Sequence, residues 1–81
     1  MEKTIGQLIK EARQREFPSE TQAAVAERVG VSRSLLCLWE SDKHVPRKHN
    51  LQSLAETLRI SREDLSSAIV QNTLDRMAIA E

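Results

Sequence analysis

Cysteine is all but missing. Cys37 stands alone in the chain, so no internal disulfide can form, which agrees with a reducing compartment. Long apolar runs are missing too. Nothing resembles a membrane span or a signal peptide, so the expected location is the cytoplasm and no membrane partner is expected. Aromatic residues are reduced to Phe17 and Trp39, with no tyrosine. Net charge is absent as well, which counts weakly against a polyanionic partner until its distribution is considered. Disorder is nonetheless excluded, because 40% of the residues are apolar. At 81 residues there is room for one domain, near the lower limit for folding on a single core.

The zero net charge hides a polarised chain. From Met1 to Arg15, Lys3, Lys10, Arg13 and Arg15 outnumber Glu2 and Glu11, for a net +2. From Arg33 to His49, Arg33, Lys43, Arg47 and Lys48 outnumber Glu40 and Asp42, again +2, with two histidines besides. From Glu56 to the end the balance is −2. A basic middle of this kind steers a protein toward phosphate.

What fills the chain is short helix. Thr4 with Gln7 forms a capping-box pattern ahead of Ile5, Leu8, Ile9 and Ala12 at helical spacing. That first helix is expected to end near Arg15, because Pro18 pushes Phe17 out of helical geometry. A second helix carries Gln22, Val25, Ala26 and Val29 on one face and stops at Gly30, with either Ser19 or Thr21 as its cap. Ser32 caps a third, from Arg33 to about Ser41. A polar loop containing Pro46 follows, and Asn50 reads as the cap of a fourth helix with Leu51, Leu54, Ala55 and Leu58 as its buried stripe. Ser61 with Asp64 repeats the capping pattern over a short turn ending at Leu65. A last helix is expected over 67–80, with Ile69, Val70, Thr73, Leu74, Met77 and Ala80 on a wide apolar face. No internal repeat and no β-type alternation is found. The fold expected is all-α: five short helices in a single domain over 1–81, with a core at 4–66.

The third helix, "RSLLCLWE", poses the sharpest question, since it starts polar and then runs apolar. At about 100° per residue from Arg33, Leu35, Trp39 and Leu36 fall near 200°, 240° and 300° and form one stripe. Arg33, Ser34, Cys37, Leu38 and Ser41 fall on the other side. The helix is amphipathic, and a rotated or extended helix would instead carry Leu38 into the core. Two helices joined through Gly-Val-Ser, the second starting with polar residues, form a helix-turn-helix pattern. On the outward side Arg33 is suited to a guanine edge, Ser34 to donating or accepting, Leu38 to a thymine methyl, and Cys37 to close approach.

The ordered motifs "TQAAVAERVGVSRSLLCLWE", "KHVP" and "LQSLAETLRISREDL" resemble the Cro/lambda-repressor-like (XRE) helix-turn-helix family over roughly residues 5–65. The resemblance implies a sequence-specific DNA-binding regulator, a repressor that docks as a homodimer on a palindromic operator without a cofactor. It implies that helix three reads bases through Arg33, Ser34, Cys37 and Leu38. Backbone phosphate would be held by Thr21, Gln22, Ser41, Lys43, His44, Arg47, Lys48 and Asn50. "SREDLSSAIVQNTLDRM" resembles the end of the lambda repressor's DNA-binding domain, which implies a dimer contact through Ile69, Val70, Thr73, Leu74 and Met77. Two departures stand out: Cys37 and Leu38 replace polar residues common in the family, and the loop between helices one and two is about two residues longer than the family's.

Simpler readings sit beside these. Cys37 is explained by small size without any redox role, and His44 and His49 lack a third metal ligand. Trp39 at a buried angle needs no ligand. No nucleophile–base pair suggests an enzyme. The alternative function is an antitoxin or a phage or plasmid regulator that binds a protein partner, a toxin or another regulator, through the apolar Leu38 and the C-terminal face.

Overall fold

The computed structural model describes residues 3–70. Thr4 opens the first helix with a complete capping box: its Oγ1 accepts from the Gln7 amide at 3.1 Å, and the Gln7 side chain accepts from the Thr4 amide at 3.0 Å. Helix α1 then runs Ile5–Glu16 and buries Ile5, Ile9 and Ala12. Phe17, ahead of Pro18, leaves helical geometry at φ −134° and ψ 59°.

Helix α2 spans Gln22–Val29, and Thr21 rather than Ser19 caps it, accepting from the Ala24 amide at 3.1 Å. Gly30 ends it at φ 93°, left-handed backbone that lets the Gly30 and Val31 amides both return to Ala26 O at 2.9 Å. Ser32 caps α3, Arg33–Glu40, through the Leu35 amide.

Helix α4, Lys48–Leu58, departs from expectation at its start. Arg47 is its N-cap residue and provides no side-chain cap, while Asn50 lies within the first turn. Pro46 is buried and Val45 half-buried, which anchors the preceding loop in the core and carries the chain into helix before Asn50 is reached. A cap is worth about 1 kcal/mol, and that local preference is outweighed. Arg59, left-handed at φ 53°, ends α4.

The expected break between a short turn at Leu65 and a helix starting at Ser67 does not occur. Residues 62–70 form one continuous helix, α5, capped by Ser61 through the Asp64 amide at 3.1 Å. Leu65 and Ala68 are both buried on it, so one stripe spans the supposed junction and nothing interrupts it. Thr73, Leu74 and Met77 lie outside the described residues.

Among the described residues the fold is therefore five helices and no strand, the all-α architecture expected. One core joins them: Ile5, Ile9, Val25, Leu36, Trp39, Leu54, Leu58 and Leu65 are among its most buried side chains. Burying each aliphatic one contributes about 1.5–3 kcal/mol, and Trp39, touching that core from α3, fixes which way the third helix faces.

Candidate nucleic-acid interface

The outward face of α3 follows from its inward one. Leu36 and Trp39 are buried and Leu35 is packed against the core, so Arg33, Ser34 and Cys37 are left exposed. Leu38 is half-buried at the edge between the two faces. Its carbonyl accepts from the Lys43 and His44 amides at 3.0 and 3.3 Å, which folds the following loop back over the end of α3.

That end is held from several sides. Arg13 on α1 forms a two-pronged ion pair with Glu40, Nε to Oε2 at 2.7 Å and Nη2 to Oε1 at 3.0 Å. Both side chains are largely buried, at 15% and 6% exposed. Gln22, the first residue of α2, donates its Nε2 to Glu40 Oε1 at 3.2 Å. Asp42, left-handed at φ 61°, reaches back to α1: it accepts from the Gly6 amide at 2.9 Å and from Thr4 Oγ1 at 2.7 Å. A carboxylate placed at a helix N-terminus satisfies amides that have no partner within the helix.

The approach of α1 to α3 depends on Gly6. A Cβ there would lie 2.7 Å from the carbonyl oxygens of both Trp39 and Glu40, so no larger residue fits without moving backbone.

None of this seam is visible in the motifs alone. Its trace is angular: Glu40 falls at about 340° on the α3 wheel, at the rim of the buried stripe, and Arg13 sits at about 80° from Ile5 on α1. Opposite charges at the rims of two apolar stripes are the signal that would have found the pair.

The cations divide into two sets. Lys3, Arg13, Arg15, Arg28 and Arg59 each meet a glutamate. Arg28 also lies over the Phe17 ring at 4.7 Å and bonds Glu20, pinning the long loop between α1 and α2. Lys10, Arg33, Lys43, Arg47, Lys48 and Arg62 have no ion pair among the described residues, and all six are exposed; four of them lie between the start of α3 and the start of α4. His44 is exposed as well.

The other residues expected at phosphate are placed less uniformly. Thr21 is exposed as a cap, and Gln22 and Asn50 are half-buried. The Ser41 hydroxyl donates to Cys37 O at 2.9 Å, with Leu38 O at 3.3 Å, so giving its proton to a phosphate would require leaving that helix end. On α5, Ile69 is half-buried against the core and Val70 is 57% exposed. No set of three or more His, Cys, Asp or Glu side chains converges for a metal among the described residues. None of their helices is long and apolar enough to cross a membrane.

Residues 6–69 match the model of a helix-turn-helix domain. The chain belongs to this family. Its fold is similar to that of the P22 c2 repressor protein, whose crystal structure is a complex with the synthetic operator 9T in the presence of Tl+. The two superpose with a TM-score of 0.70 at 30% sequence identity, over 78% of this chain and 92% of that one. Among curated proteins none matches this chain. Family and fold together make it a lambda-repressor-like helix-turn-helix domain, as the motifs implied, with α2 and α3 as the paired helices.

Proposed function

We propose that this helix-turn-helix domain is a sequence-specific transcriptional regulator, a repressor that lays α3 into the major groove of a palindromic operator. The observation that carries the reading is the exposed Arg33–Ser34–Cys37 face, followed directly by the unpaired cations Lys43, Arg47 and Lys48. Base edges are read by Arg33, Ser34, Cys37 and Leu38, with the arginine contributing most of the discrimination. Thr21, Gln22, Ser41, Lys43, His44, Arg47, Lys48 and Asn50 meet the phosphates on either side and set the register. The start of α4 suits this role because no side chain caps it, leaving first-turn amides for a phosphate oxygen.

Two copies dock through Ile69, Val70, Thr73, Leu74 and Met77, which places half-sites about 34–36 Å apart. Exposed Val70 supports this contact. The C-terminal part, over 67–80, is then the dimer-forming part of a single domain.

Fluorescence anisotropy against duplexes from the chain's own upstream region, repeated over a salt series, tests the reading. Wild-type protein should prefer one duplex, and its affinity should fall steeply as salt rises. Lys48→Ala should weaken every duplex alike and flatten the salt slope by about one unit. Equal affinity for all duplexes would sink the sequence-specific role.

A further inference from the structure

Helices α4 and α5 border a cleft of about 250 Å³ whose two walls repeat one pattern. Lys48, Leu51 and Gln52 come from α4, and Arg62, Leu65 and Ser66 from α5. Within each trio the second and third residues follow the first at i+3 and i+4, so each trio shares one face of its helix. Each wall thus offers a cation, a leucine and a neutral polar group. Leu65 is buried and Leu51 is half-buried against the core, which makes an apolar floor. Lys48, Gln52, Arg62 and Ser66 are exposed around it. Arg62 has Glu63 and Asp64 beside it in sequence and Glu56 on the preceding helix, yet it forms an ion pair with none of them. Glu56 reaches the rim through Gln52, whose amide donates to its Oε1 at 3.4 Å. Lys48 likewise has no ion pair among the described residues, so the fold leaves two cations over an apolar floor.

We propose that the α4–α5 cleft docks an acidic, amphipathic segment of a partner protein. One large apolar side chain of that segment rests on the Leu51–Leu65 floor, and a flanking carboxylate meets Arg62 and Lys48. Size and charge select this occupant. Small-molecule pockets run to about 300–1,000 Å³, so this cleft suits a side chain or two better than a whole effector. A nucleic-acid backbone would engage the cations but bring nothing apolar to the two leucines. A second copy docked two-fold through the cleft would put the same two cations on both sides of the seam. Lys48 is also among the residues proposed at phosphate, so a docked segment and a duplex would compete for it. That consequence rests on the DNA-binding reading; the docking site does not.

A random peptide library displayed on phage, selected against the full chain at low salt, supplies the probe. Enriched peptides should share an aspartate or glutamate beside one leucine, isoleucine or phenylalanine. The tightest of them, labelled and followed by fluorescence anisotropy, should bind Arg62→Ala about twofold to fivefold more weakly, the effect of losing one exposed ion pair. Arg62→Glu should cost about tenfold or more, because it sets like charges together. A peptide with lysine in place of its acid should recover part of that loss. Ser66→Tyr should abolish binding by filling the cleft from its exposed rim. Lys10→Glu makes the same change in net charge on α1, outside the cleft, and should leave peptide binding unchanged.

Lys10, Arg62 and Ser66 are all exposed, so thermal midpoints of these variants should stay near wild type and keep folding apart from docking. Backbone amide shifts on adding peptide to the wild-type protein should centre on Leu51, Gln52, Leu65 and Ser66. Shifts centred on Arg33 to Cys37 would overturn the site, as would equal losses in Lys10→Glu and Arg62→Glu. Enrichment of peptides without an acid, or of none at all, would overturn it too. A fall in sedimentation coefficient for Arg62→Glu would assign the cleft to a second copy instead of a partner segment. No duplex enters these measurements, so the docking site and the DNA-binding reading fail separately.

Discussion

The two ends of α3 are built on opposite terms. At its C-terminal end Glu40 is gripped by Arg13 and Gln22, Asp42 caps α1, and Gly6 lets the two helices touch. At its N-terminal end Ser32 caps the helix and the side chains of Arg33, Ser34 and Cys37 stand in solvent. Eight residues thus carry both a rigid joint and an open reading face. A base-reading residue must be unpaired before its ligand arrives, yet it must be aimed. The joint supplies the aim, since α3 cannot rotate about its axis without breaking bonds at Glu40 and expelling Trp39 from the core.

Substitutions at the two ends should therefore separate stability from specificity. Trp39→Ala, at the joint, should cost about 3–5 kcal/mol, as loss of a large core aromatic does, and urea unfolding should show the domain near collapse. Gly6→Ala should cost about 1–3 kcal/mol by overpacking against the Trp39 and Glu40 carbonyls, seen as a lower denaturation midpoint. A neutral result would mean that α1 and α3 are not held so close.

At the reading end the signs reverse. Arg33→Ala should leave the midpoint within about 0.5 kcal/mol of wild type, while losing about 1–3 kcal/mol of preference for operator over other duplexes in anisotropy titrations. Loss of stability without loss of preference would break the division between the ends.

Two caps give a finer check. Thr21→Ala should cost about 1 kcal/mol by removing the α2 cap. Asn50→Ala should change stability by less than about 0.5 kcal/mol, because Asn50 caps nothing, and a cap-sized loss there would restore the start of α4 that local signals suggest.

Much of this was legible in the residues. The capping box at Thr4, the left-handed stop at Gly30, the cap at Ser32 and the split of α3 into two faces are all local features, set within one or two turns of chain. The start of α4 and the unbroken α5 were not, because Pro46 burial and the Leu65–Ala68 stripe depend on where other helices lie. The outward face was readable to the residue, except that Leu38 sits at its edge rather than within it. Which cations stay unpaired was harder to read: Arg13 and Arg33 differ only in their place on the helical wheel, and the glutamate that pairs with Arg13 waits on another helix.

Sequence alone determined where α1, α2 and α3 lie and which side of α3 turns inward, because helical period and capping act through neighbours a few residues apart. Tertiary structure decided what those helices are fastened to. Arg13 and Glu40 are 27 positions apart, and Gly6 and Asp42 are 36 apart. Contacts at that separation carry no signature in any one stretch of chain. They exist because packing the apolar stripes brings the ends of α1, α2 and α3 to one point, where charge and close approach must then be resolved.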